Sequence, residues 1–300
     1  MIRALIGLVI LAIAVAVCWG VLVVGQAHAL AWITAAVGAE RASDPPTVES
    51  LFNVIIFAPL IVVAVIGGML ERRNALRLGT RPALSLGVGL IVGLAGLSAT
   101  VLYAWLAGVL TAGGDPGAGA GLLLWGLGVT AFQVAAEEIY FRGWLQPALT
   151  MRWGQVAGVG AAALAFGALH VAGGAREPVS LVNLFLGGVM FGLFALRGGG
   201  LAAAFGAHFA WNAVEQLAWG LDPNPGIGSF GAVVDKELVG AAIWGGSGEG
   251  LNGSIGMTIA LLAIVLPLAL LSWRRVSGAT PAAVAKPTTP PATAPVARAA

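Results

Sequence analysis

Between Ala136 and Arg142 the chain reads Ala-Glu-Glu-Ile-Tyr-Phe-Arg, so Glu137, Glu138 and Arg142 stand inside an otherwise apolar run. A charge in such a run costs several kcal/mol unless it is paired or wetted, and residues that carry this cost mark function. Glu138 and Arg142 are spaced i, i+4, so they share one helix face and can pair. Glu137 points about 100° away around the helix and lacks that partner. A carboxylate in apolar surroundings is a stronger base than one in water, which suits general-base work on a water molecule. Two histidines stand in apolar runs as well. His170 closes Phe166-Gly-Ala-Leu-His170, and His208 opens His208-Phe-Ala-Trp-Asn212. His208 and Asn212, again i, i+4, offer an imidazole and an amide from one face, and donors so placed can stabilise an oxyanion. Glu137, His170 and His208 can equally be read as three ligands that leave an open position on a metal such as zinc. The bland readings are an ion pair that merely holds a helix and histidines that bond between helices. A Glu pair and two His in three separate segments are harder to account for that way.

The elements that must position these residues follow from composition. The 300 residues are 59% hydrophobic and 9% charged, against about 25% charged in soluble domains. Runs of roughly 20 apolar residues recur, each long enough to cross about 30 Å of hydrocarbon as a helix. The sequence predicts an all-α fold, a polytopic transmembrane bundle of about eight helices: Ala4–Val24, Leu51–Leu70, Pro82–Leu110, Ala120–Leu145, Gln155–Val171, Pro178–Leu196, Leu201–Trp219 and Ile255–Trp273. Abundant Gly and Ala suit closely packed helices. With the N-terminus inside, eleven Lys and Arg residues fall on the cytoplasmic side and three outside, which places both termini in the cytoplasm and the chain in the cell membrane. Acids such as Asp44, Glu49, Asp115, Asp222 and Asp235 collect in the outer loops. A net charge of only +2 excludes a nucleic-acid-binding surface. The single cysteine, Cys18, excludes an intramolecular disulfide and is read as facing lipid. His28 is read as solvated just past the first span, and Trp144, Trp153, Trp219 and Trp273 as an interfacial belt. Glu215, seven residues after His208, shares its face roughly, and Glu249 lies in a loop able to shape substrate access. The chain divides into N-terminal helices (1–119), a catalytic helical core (120–220), a Gly/Pro-rich outer loop (221–254), a last helix (255–275) and a disordered cytoplasmic tail (276–300).

Glu137-Glu138-x-x-x-Arg142, Phe166-x-x-x-His170 and His208-x-x-x-Asn212, taken in this order, resemble the three motifs of the CPBP (Abi) family of intramembrane proteases. That family includes CAAX prenyl protease 2 and proteins similar to lysostaphin resistance protein A. The resemblance covers about Ala120 to Trp219. It implies an endopeptidase in which Glu137 activates water with the help of His170, while His208 and Asn212 stabilise the oxyanion. Glu138 and Arg142 would then support Glu137. Since His-Glu-x-x-His is absent, the reading adopted needs no metal cofactor, with zinc on Glu137, His170 and His208 as the alternative. The partners implied are the lipid bilayer and a membrane-associated peptide or protein substrate, either a CAAX-type prenyl protein or a bacteriocin-like peptide. A non-proteolytic immunity or scaffold protein, or a proton-coupled transporter, is the competing class. One geometric mismatch stands out. A fifth helix that starts at Gln155 puts His170 about 22 Å from the cytoplasmic side, against about 10 to 13 Å for Glu137 and His208. A later start, with Pro147 to Ala157 lying along the interface, would reduce it.

Overall fold

Backbone amides that find no water must bond within their own segment, and the computed structural model shows the result for residues 1–114, 119–221 and 228–277. The helices are α1 (Ile2–Val37), α2 (Pro45–Leu70), α3 (Pro82–Leu106), α4 (Ala120–Glu138), α5 (Gln146–Trp153), α6 (Gln155–Gly173), α7 (Pro178–Gly198), α8 (Ala202–Ala213) and α9 (Ile255–Ser277). Two π-helical stretches continue α4 and α8, at Ile139–Leu145 and Val214–Ala218. Outside the helices, Leu110–Ala112 pairs antiparallel with Lys236–Leu238. The expected all-α bundle is therefore present. Asp115, Asp222 and the tail from residue 278, with Lys286 and Arg298, lie outside the described residues.

Among the described residues, seven helical rods are long and apolar enough to cross a membrane, counting Ala120–Trp153 as one rod of 34 residues. The seventh predicted span, α8 with its π continuation, is shorter, and its position explains why. Most α8 residues are buried, including Ala203, Ala204, Ala207 and Ala210, so this helix is enclosed by its neighbours. Small residues allow that enclosure. A Cβ on Gly89 or Gly93 of α3 would lie 2.2 Å from the carbonyl oxygen of Ala203 or Ala207, and one on Gly206 would lie 2.6 Å from that of Leu86. The two backbones touch directly, which fixes the helix that carries His208 and Asn212.

Between Glu137 and His170 the depth mismatch is resolved differently from the expectation, while His208 still lies six residues into α8. α6 does begin at Gln155, but the fourth span does not end at Leu145; it runs on through the π stretch and α5 to Trp153, and Gly154 (φ 83°) makes the turn. Glu137 therefore lies sixteen residues before the end of one rod and His170 fifteen after the start of the next, about 24 and 22 Å along antiparallel helices. Pro147 did not break the helix because it sits in the first turn of α5, where a missing amide is tolerated. Other expectations are corrected as well. α1 extends to Val37, so the exposed His28 is part of the helix, with its ring 5.6 Å from Trp32. Cys18 is buried, at 2% exposure, in the main core. Trp144 is also core: a Cβ on Gly67 would lie 2.3 Å from its indole nitrogen.

α7 has no capping side chain of its own at Glu177. The amides that lead into it are met from a distance, because Glu249 Oε1 accepts from those of Arg176 and Glu177 at 2.6 and 2.9 Å. Burial pushes this carboxyl up, but hydrogen bonds from Ser180 and the two amides, with the Arg176 charge, outweigh it and hold Glu249 below its usual range. A depressed carboxyl contributes stability above its unfolded pKa, about 4.3 for Glu, and loses that contribution as pH falls through the folded value. Hydrogen exchange at Arg176 and Glu177 is therefore expected to accelerate relative to neighbouring amides below about pH 4, whereas in Glu249→Gln the relative rates should not change with pH. A pH-independent wild type would refute the cap.

Candidate active site

Three helices bring their ionisable residues to one buried layer. Arg142 Nη1 donates to Glu138 Oε1 at 3.0 Å, and its Nη2 donates to the Gly188 carbonyl at 3.0 Å. Its guanidinium lies over the Phe166 ring, 4.6 Å from the centroid. Glu138 Oε1 also accepts from His208 Nδ1 at 2.9 Å. The other ring nitrogen, His208 Nε2, faces Glu137 Oε2 at 3.9 Å. Arg142, Glu138, His208 and Glu137 thus form a continuous chain in which none exceeds 4% exposure. Phe191 stacks flat on the His208 ring at 4.4 Å and holds its orientation. Glu138 is bonded to Arg142 and His208 rather than to Glu137, so within this chain its direct effect is to orient an imidazole.

The protonation pattern of His170 follows from its partner. Its Nδ1 lies 2.9 Å from the Phe166 carbonyl oxygen, which can only accept. Nδ1 therefore carries the proton, and in the neutral ring Nε2 keeps a lone pair. Glu137 Oε1 accepts from Gln133 Nε2 at 3.3 Å, while its buried Oε2 accepts no hydrogen bond from a described residue. His170 and Glu137 are thus each fixed through one polar atom, Nδ1 and Oε1.

Two small cavities meet at these groups. One, of about 60 Å³, is lined by Gln133, Phe166, His170, His208, Asn212 and Glu215 among others. The other, about 160 Å³ between α1, α2, α4 and α6, is lined by Asn53, Phe57, Gln133, Glu137 and His170 among others. His170, His208 and Asn212 therefore share one cavity. Glu137 fronts the adjoining one, with His170 and Gln133 common to both. Sequence reasoning missed Gln133, whose signal was its i, i+4 spacing to Glu137. It also missed Asn183, which borders the first cavity and bonds the carbonyls of Asn252 and Ser254 at 2.8 and 2.9 Å. Glu215, placed roughly on the His208 face by its spacing, is buried and lines the cavity. Both π stretches among the described residues adjoin this site, as such bulges often do.

Among the described residues no group of three or more His, Cys, Asp and Glu is arranged to hold a metal ion. No chemistry is routed through one below.

The three motifs, the membrane-length rods and this buried layer lie in a segment with a known counterpart. Residues 119–214 match the family model Rce1-like, type II CAAX prenyl endopeptidase. The Rce1-like match includes Glu137, Glu138, Arg142, His170, His208 and Asn212, and it bears out the resemblance carried by their spacing. No curated protein and no solved structure matches the chain. The Rce1-like match indicates a protease, and the seven long apolar helices indicate a multi-pass membrane protein. Glu215 lies one residue beyond the matched segment.

Proposed function

We propose that the protein is an intramembrane endopeptidase that hydrolyses a peptide bond of a membrane-associated substrate, with the enclosed α8 as an eighth crossing and both termini in the cytoplasm. The observation that carries this reading is the open Oε2 of Glu137 beside His208 Nε2, in a layer shared with the lone pair of His170. Glu137 takes a proton from a water molecule while His170 Nε2 accepts from its other O–H. The hydroxide oxygen bonds to the scissile carbonyl carbon, whose oxygen gains the negative charge. The Asn212 amide donates to that oxyanion, and His208, whose ring the Nδ1 bond to Glu138 orients, donates to it from Nε2. Collapse breaks the C–N bond, and Glu137 passes its proton to the leaving amine. The site lies at a depth reached by the apolar end of a peptide, which suits a prenylated CAAX-type C-terminus or a bacteriocin-like leader.

The test is cleavage of prenylated and unprenylated peptide libraries by the purified protein. His170→Ala is expected to lower kcat about 100-fold, the lower range for one positioned acid–base group, with thermal stability unchanged. Full activity in that variant would remove His170 from the mechanism. In the same assay a chelator is expected to leave the rate unchanged. Loss of cleavage that zinc restores would overturn the glutamate–water mechanism.

A further inference from the structure

On the face that carries Arg72, Arg73 and Arg77, a cavity of about 840 Å³ opens between the α2–α3 loop, the π stretch at Ile139–Leu145, α5 and the α7–α8 turn. Its charge is one-sided. Glu71 is held by Arg152 through bonds of 2.7 and 3.2 Å, and Arg142, in the cavity wall, is held by Glu138. The side chains of Arg72, Arg73 and Arg77 form no ion pair with a described acid. Arg142 is itself buried, and its Nε–H has no hydrogen-bond acceptor among the described residues.

The loop that bears these arginines is fixed in place. The amides of Leu201 and Ala202 donate to the carbonyls of Arg77 and Leu78 at 2.9 and 3.2 Å. A Cβ on Gly143 would lie 2.1 Å from the Ala75 carbonyl oxygen, so the loop is pressed onto the π stretch. Arg72 is also the one non-glycine residue with positive φ among those described, at 55°. It closes α2 where glycine is the usual residue, with the amides of Arg72 and Arg73 bonded back to Met69 and Gly68. An arginine held there accepts backbone strain that glycine would avoid, and such outliers point to function.

Arginine at helix ends also arises from the bias that orients membrane proteins. That bias requires neither a concave site, nor a pinned loop, nor a strained backbone. Guanidinium groups recognise phosphate oxygens through paired hydrogen bonds. Met69 and Leu70, at 70% and 81% exposure, supply an apolar surface at the end of the same helix. We propose that this cavity binds a phosphate-bearing anion, with the headgroup of an anionic phospholipid as the source its place at the helix ends favours. The inference goes beyond the proposed hydrolysis and does not depend on it.

The test is native mass spectrometry of the full chain in detergent, titrated with phosphatidylglycerol or phosphatidylcholine, beside calorimetry with inorganic pyrophosphate. Phosphatidylglycerol is expected to bind about tenfold or more tightly than phosphatidylcholine, and Arg73→Gln/Arg77→Gln to weaken it by about tenfold. Arg72→Gly is expected to weaken binding while raising Tm, a combination no folding defect produces. Arg3→Gln, at a residue that does not line the cavity, should leave binding unchanged. Pyrophosphate binding that the same variants weaken supports the phosphate site with a soluble source, and phosphatidylglycerol binding without pyrophosphate binding supports it with a lipid source. Equal binding of the two lipids, undiminished binding in the variants or equal loss in Arg3→Gln overturns the proposal.

Discussion

Glu137→Gln is expected to lower kcat by about four orders of magnitude, the upper range for a positioned general base, while the fold persists. Glutamine keeps the shape and can still accept from Gln133 through its carbonyl oxygen, so the bond at 3.3 Å has an acceptor. What it loses is the ability to take a proton from water. The change should fall on kcat rather than KM, because the carboxylate contributes to the reacting step and not to holding the peptide. A Glu137→Gln enzyme that cleaves at the wild-type rate would assign the base elsewhere, with Glu215 the next carboxylate on the shared cavity. Glu137→Asp offers an intermediate case. It retains the charge but withdraws it by about one methylene, and a partial loss there would support a requirement for position as well as basicity.

The second large effect concerns stability. Glu138→Ala leaves Arg142 buried, at 3% exposure, without its carboxylate, and breaking one side of such a pair costs about 3–5 kcal/mol. The remaining bond to the Gly188 carbonyl and the surrounding phenylalanine rings do not neutralise the charge. The double variant Glu138→Leu/Arg142→Met removes both charges and is expected to recover most of the lost stability, since apolar replacement of a buried pair is often neutral. Activity should not return with it. His208 would still lack the acceptor that holds Nδ1 at 2.9 Å, and an unoriented imidazole cannot present Nε2 to an oxyanion. Thermal unfolding in detergent, read beside peptide cleavage, separates the two roles. Recovery of cleavage along with stability would reduce Glu138 and Arg142 to scaffolding.

Much of this was legible in the sequence because hydrocarbon permits few alternatives. Apolar runs must be helices, and the cost of placing Glu137, Glu138, Arg142, His170 and His208 inside them identified these residues without a structure. The i, i+4 pairing of Glu138 with Arg142 was readable for the same reason. The bond from His208 to Glu138 was not, because it joins residues 70 apart whose meeting depends on how α4 and α8 pack. The length of the fourth rod was hidden by a local signal: Gln146 and Pro147 look like a helix end, yet a proline in the first turn of α5 continues a helix. Cys18 and Trp144 were misplaced because apolar residues facing lipid and apolar residues facing protein have the same composition, and only packing distinguishes them. Glu249 gave no sequence signal for its role, since a cap supplied from 72 residues away leaves no spacing to read.

The π stretch between Glu138 and Gln146 has a consequence for how this enzyme can vary. A wide turn of this kind amounts to one residue more than an α-helix needs, so the rod is out of phase with itself on either side of it. Loss of a single residue there would restore ordinary pitch, at little cost to helix formation, and rotate α5 by about 100° relative to Glu137. Gln146 would leave the Gly192 carbonyl and Arg152 would leave Glu71. Point substitutions in this stretch are graded perturbations, whereas a length change is a switch of register, and the chain length between the acid motif and Trp153 is as much a part of the site as the acids themselves.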